Sequence, residues 1–168
     1  MSSDTTPVGA NPALRDPAHQ VSAKAPVLWA IGAAVPSLVL LIAVVVVDLV
    51  WYDLPWWVYP PLVAILVAYV VVMPRVRYRI HRWESTDTAV YTQTGWLSRE
   101  RRIAPMSRVQ TVDFEQSPVA RLFGLASVTV TTASAAGPLS ITAIDKPVAD
   151  RLVDDLTRRT EAEAGDAT

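Results

Sequence analysis

Arginine is the residue of this chain best placed to do chemistry. Arg75, Arg77, Arg79 and Arg82 fall close together, and Arg99, Arg101, Arg102 and Arg108 form a second group further on. A guanidinium is permanently charged and offers several N–H donors in a planar fork, so such clusters suit phosphate and carboxylate groups. Other chemistries are poorly served. The chain has no cysteine, which excludes disulfides, thiolate catalysis and Cys-ligated metal. His19 stands in a polar stretch and His81 in the basic run, so they make no metal pair. There is no phosphate-cradling glycine loop, no His–Glu metal spacing and no Ser/His/Asp set. The adjacent carboxylates Asp154 and Asp155 fall on the outer face of an amphipathic helix. The sequence therefore reads as a non-enzyme that needs no cofactor and no metal.

What positions the arginines is apolar. Two uncharged runs, Val27 to Val47 and Leu54 to Met73, hold 21 and 20 residues and end just before Arg75. At about 1.5 Å per residue each spans roughly 30 Å, the hydrocarbon thickness of a bilayer. Backbone in lipid must satisfy its own hydrogen bonds, so both runs are expected as helices. The first run starts late, exceeds a signal h-region in length and has no small-x-small exit, so a retained anchor is expected. The connection between Asp48 and Asp53 is short enough to force an antiparallel hairpin, and Trp51, Tyr52, Trp56, Trp57 and Tyr59 crowd it as interfacial aromatics do. Lys24 precedes the first helix and four arginines follow the second, so the positive-inside rule places both termini in the cytoplasm. Pro36 and Pro60-Pro61 are ordinary in such helices, and no ionisable residue stands at mid-membrane to mark an ion or proton path.

Beyond the apolar runs the pattern becomes short and alternating. Tyr78–Trp83, Thr88–Thr94, Leu97–Ala104, Arg108–Gln116, Ala126–Thr132 and a segment with Leu139, Ile141 and Ala143 read as strands, with Thr94-Gly95-Trp96 turning one hairpin. The imperfect alternation of Val109 and Val112 calls for a bulge or for burial of both faces. Ala135-Ala136-Gly137-Pro138 reads as a turn. Ser117, Pro118 and Gly124 start and stop a short helical turn, in which Leu122 and Phe123 are expected in the core and Arg121 is expected to pair with Asp113 or Glu115. A final helix is capped by Asp145, carries the stripe Val148, Leu152 and Leu156 widened by Ala149 and Val153, and pairs Asp154 with Arg158 and Asp155 with Arg159. Residues beyond about Thr160 have nothing to bury and should fray. Nearly neutral charge and a membrane tether speak against nucleic-acid binding.

The run from Tyr91 to Val112 joins a glycine-bearing hairpin to Arg102-Ile103-Ala104-Pro105 and Arg108-Val109-Gln110-Thr111-Val112. With Gln116-Ser117-Pro118-Val119-Ala120-Arg121-Leu122-Phe123-Gly124-Leu125, it resembles the YdbS-like bacterial pleckstrin-homology (PH-like) membrane proteins over roughly residues 25–160. The resemblance implies a bent antiparallel sheet or split barrel capped by the C-terminal helix, in a bacterial plasma membrane. It supplies no catalytic residue. It does imply a partner, a larger membrane protein with tandem copies of the same domain; a homo-oligomer is expected besides or instead.

The expected organisation is α+β: a disordered tail over 1–24, a two-helix transmembrane hairpin over 25–74, a cytoplasmic PH-like domain over 75–160 and a disordered tail over 161–168. Two functions fit. One is an interaction or assembly module at the cytoplasmic face of the membrane, reached through an open sheet edge. The other is a module in which Arg75, Arg77, Arg79, Arg82, Arg99 and Arg101 contact membrane lipids with anionic headgroups. Trp83 and Trp96 are expected to pack in the barrel rather than to stack on a ligand.

Overall fold

The computed structural model of the chain describes residues 15–133 and 137–166, with side chains as far as Ala162. The expected turn at Ala135-Ala136 and the outer parts of both tails lie outside these residues. Helix α1 (Ala25–Val47) runs on into a π-helical turn at Asp48–Tyr52, and Asp53 reverses the chain with a left-handed φ of 57°. A short 3₁₀ turn at Trp56–Val58 leads into α2 (Tyr59–Ile80), which packs back along α1. Asp48 fastens this reversal, since its carboxylate accepts hydrogen bonds from the Leu54 N–H and the Tyr59 hydroxyl. Only 6% of the most apolar stretch of each helix is buried in the protein, so lipid and not a protein core must cover them.

The two helices do not coincide with the two apolar runs. Leu54 and Pro55 lie outside the second helix, and α2 continues past Met73 to Ile80. The strand expected over Tyr78–Trp83 therefore begins only at Arg82. Arginine is a good helix former, and cations in a last turn complement the helix dipole, so Arg77 and Arg79 prolong the helix instead of ending it.

Seven strands among the described residues build the rest. β1 (His19–Gln20), β2 (Arg82–Ser85), β3 (Ala89–Gly95) and β4 (Arg99–Pro105) make one antiparallel sheet in that order. β5 (Val109–Glu115), β6 (Leu125–Thr132) and β7 (Leu139–Asp145) make a second. A bulge between Val109 and Thr111 accounts for the broken alternation of β5. Val90, Met106, Leu125, Val128, Val130 and Ile144 fill the space between the sheets. The helix α4 (Lys146–Asp166) closes the second sheet with Ala149, Leu152 and Leu156. This is the expected α+β architecture of hairpin, split barrel and capping helix.

Both termini are more ordered than the sequence suggests. Residues 15–24, assigned above to a disordered tail, carry β1, which pairs with β2. Val21 and Ser22 are buried, and the Ser22 N–H donates to the Ala143 carbonyl at 3.1 Å. A two-residue strand has no periodicity to read, and its partner lies more than sixty residues away across the membrane hairpin. That hairpin is thus the connection between β1 and β2. At the other end α4 runs to Asp166 without stopping near Thr160. Arg159 bonds both Asp155, at 2.9 Å, and Asp87, at 2.6 Å. Arg158 instead donates to the main-chain oxygen of Asp154, and the Asp145 carboxylate accepts from the Ser22 hydroxyl.

Candidate functional site at the membrane end of the barrel

Both helices leave the first sheet at one end, so the arginines gather there. Helical periodicity sorts those of α2. Arg75 and Arg79, four residues apart, share the exposed face, while Arg77 points the other way. Arg75 donates back to the Val71 carbonyl at 2.6 Å. The side chains of Arg79, Arg82 and Arg99 make no hydrogen bond or ion pair among the described residues, and Arg79 and Arg99 are exposed.

Arg77 is a joint. Its guanidinium lies 4.4 Å from the ring centre of Trp29 on α1, a cation–π contact, and its Nε donates to His81 Nε2 at 3.3 Å. The His81 Nδ1 stands 2.9 Å from the Arg77 carbonyl, which can only accept, so Nδ1 carries the proton and Nε2 is bare. His81 is 3% exposed and its ring is 4.9 Å from that of Trp29. Burial, and then the charge of Arg77, push His81 down to about 4 from its ordinary 6.5, against the pull of the Arg77 carbonyl. Gln93 of β3 adds a second fastening. Its Nε2 donates to the Ile80 carbonyl at 3.0 Å and its Oε1 accepts from Arg101 Nε at 2.8 Å. Arg101 also pairs with Asp16 of the N-terminal segment.

Arg77, His81, Thr92, Arg102, Ser140 and Thr142 line a polar cleft of about 310 Å³ where α2 meets β3, β4 and β7. Arg102 is held by Glu100 at 2.6 Å and donates to the Pro138 carbonyl at 3.0 Å. Among the described residues no hydroxyl of the cleft is hydrogen-bonded to His81 or Glu100, and the cleft presents the donors of Arg77 and Arg102. No cluster of His, Asp and Glu able to hold a metal occurs among the described residues.

Of the six arginines singled out from the sequence, the structure uses Arg77 and Arg101 to hold the helices to the barrel and leaves Arg75, Arg79, Arg82 and Arg99 around the seam. His81 was missed as a partner. Its spacing of four from Arg77 was the available signal, but it has meaning only if the helix continues that far. Trp29 gave no signal at all, being one aromatic in a uniformly apolar run. Three further expectations fail. Leu122 is 84% exposed, because α3 (Pro118–Leu122) is too short to bury both of its faces. Arg121 finds no carboxylate among the described residues and stays exposed. Trp96 leaves the barrel and meets Tyr69 of α2, whereas Trp83 is in the core as expected.

A transmembrane hairpin inserted into a split barrel with a C-terminal capping helix defines a membrane-anchored PH-like protein. The chain belongs to the bacterial PH domain family, whose model matches residues 28–160. It is 31% identical over 148 residues to the UPF0699 transmembrane protein YdbS of Bacillus subtilis, a similarity that covers 84% of this chain and 92% of that protein. No solved structure matches the chain. Neither the family's description nor the relative's name specifies a reaction.

Proposed function

We propose that this protein is a non-catalytic interaction module, anchored in the bacterial plasma membrane with both termini in the cytoplasm, whose barrel docks another PH-like barrel. That partner is a second copy of the chain or a larger membrane protein with tandem PH-like domains. The observation that carries the reading is the state of β5. It pairs with β6 alone among the described residues, so its other edge has no strand partner. It is also largely exposed on both faces, and Phe114 is 39% exposed. An edge of this kind is a template for strand addition. The edge of β4, by contrast, is guarded by Arg99, Glu100, Arg101 and Arg102.

The test uses the whole chain, because β1, Val21, Ala25 and Trp29 belong to the barrel's packing and a fragment starting at residue 75 lacks them. Full-length protein extracted in mild detergent is expected to give a defined oligomer, or a complex with a barrel-bearing membrane protein, that Phe114→Asp abolishes. A strictly monomeric, partner-free protein would overturn the proposal. The second reading, anionic-lipid contact, is favoured by the unpartnered Arg79, Arg82 and Arg99. Each charge near an anionic surface contributes about 1 kcal/mol, weakened by salt. Lipid retained through detergent extraction and lost on Arg79→Ala and Arg99→Ala would identify that role.

A further inference from the structure

The turn between β3 and β4 is built to face something other than water. β3 and β4 close at the Gly95↔Arg99 pair, leaving Trp96, Leu97 and Ser98 at the tip. The turn needs a glycine at its base, since Gly95 has φ +129° and an added Cβ would fall 1.8 Å from the Ser98 carbonyl oxygen. At the tip Leu97 is 83% exposed and Trp96 40%. The turn at the opposite end of the same sheet, Thr86-Asp87-Thr88, is wholly polar.

Topology fixes which way the tip points. In an antiparallel meander the β1–β2 and β3–β4 connections share one end, and here the β1–β2 connection is the membrane hairpin. Trp96 meets Tyr69 edge to face, with ring centres 6.0 Å apart. Tyr69 lies six residues before Arg75, the first charge after the apolar run, which is about 9 Å along the helix on the membrane side. An independent gauge agrees. The neighbouring Val70 and Val71 line the same interhelical groove as Ala34, which lies well inside the uncharged stretch of α1. Tyr69 is thus at acyl-chain depth, and the tip that touches it is carried to the same depth.

We infer that the β3–β4 turn is a third membrane element: Trp96 and Leu97 insert among the acyl chains of the leaflet on the barrel's side, with Arg99 at the headgroups behind them. Tryptophan suits the boundary because its ring is apolar and its N–H polar. The insertion would give the barrel a contact with the leaflet of its own, beside the two helices to which it is fastened.

The absence of cysteine allows a direct measurement, since each single-cysteine variant carries one thiol. Full-length Leu97→Cys, Ser98→Cys and Asp87→Cys are labelled with an environment-sensitive fluorophore and reconstituted in vesicles of phosphatidylcholine and phosphatidylglycerol. Position 97 is expected to be blue-shifted and quenched several times more strongly by acyl-chain spin-labelled lipid than by aqueous iodide. Position 98 should show the same preference more weakly, and position 87 the reverse. Iodide quenching at 97 and 98 equal to that at 87 would overturn the inference. So would shielding from both quenchers, which would mean that a protein covers the tip.

Discussion

The barrel has two flanks that are treated oppositely. Where it meets the membrane helices, polar groups are paired between elements: Arg77 with Trp29 and with His81 one turn on, Gln93 with Ile80 and Arg101, Ser22 with Asp145, and Lys24 with the Phe123 carbonyl at 3.1 Å. On the flank formed by β5 and α3, Phe114, Val119 and Leu122 are left exposed, and the β5 edge is unpaired among the described residues. The difference teaches where to look for each role. At the first flank Arg77 and Arg101 fasten the helices to the barrel, and the barrel and hairpin are one unit. At the second flank Phe114 has only the Lys146 ammonium 5.7 Å from its ring centre and Leu122 is 84% exposed, so changing these groups should alter association more than folding.

The comparison breaks most visibly at Trp29. It is 8% exposed and is the surface on which both Arg77 and His81 rest. Trp29→Ala removes a large buried side chain and leaves a cavity where α1 meets the barrel, at a cost of about 3 kcal/mol. Thermal unfolding of the full-length protein in detergent should show the loss, while Leu122→Asp, at an 84% exposed position, should stay within about 0.5 kcal/mol. Comparable losses for both variants would erase the distinction between the flanks.

How much of this was legible depended on how locally each feature is encoded. The hairpin, the glycine turn and the capping helix each carry their signal within a short stretch, as with Asp48 and Asp53 around the reversal, Gly95 at its turn and the 149–152–156 stripe. Strand β1 carries none, because two residues become a strand only through Trp83 and Arg82 on the far side of the membrane segment. The arginines show the same limit. Their clustering was plain, but their roles depended on whether residues 75–80 are helix or strand. A helix separates Arg77 from Arg75 and Arg79, whereas a strand would set all three on one face. Leu122 was misjudged because apolarity was taken as burial, and an exposed leucine is informative only once its surroundings are known.

A gentler perturbation of the fastened flank is acid. His81 holds both of its ring hydrogen bonds only when neutral, and its folded value is near 4 against an ordinary 6.5. The unfolded chain therefore takes up a proton first as pH falls. Stability from this group is complete above about pH 6.5 and declines as pH drops toward 4. The expected loss is about 1–2 kcal/mol, allowing for screening through the open cleft beside the ring. Melting temperature measured between pH 7 and 4.5 should fall, and His81→Gln should flatten that fall. A pH slope unchanged in the variant would assign it to other groups.

The smallest effect separates two arginines two residues apart on one strand. Arg101 donates to Gln93, which is 2% exposed, so Arg101→Ala leaves the largely buried Gln93 amide oxygen without that donor. An unsatisfied buried acceptor costs about 1–2 kcal/mol, and the loss should also loosen the Gln93 bond to Ile80 that holds the end of α2. The Arg99 side chain is exposed and has no partner among the described residues, so Arg99→Ala should cost under about 0.5 kcal/mol. Its effect belongs instead to the membrane surface and should appear as weaker, less salt-sensitive retention of anionic lipid. Denaturant unfolding and lipid retention measured on both variants should therefore give opposite orders. If Arg99→Ala proved the more destabilising of the two, the fastened flank would have to extend to the tip of the hairpin, and the arginines could no longer be divided by what they touch.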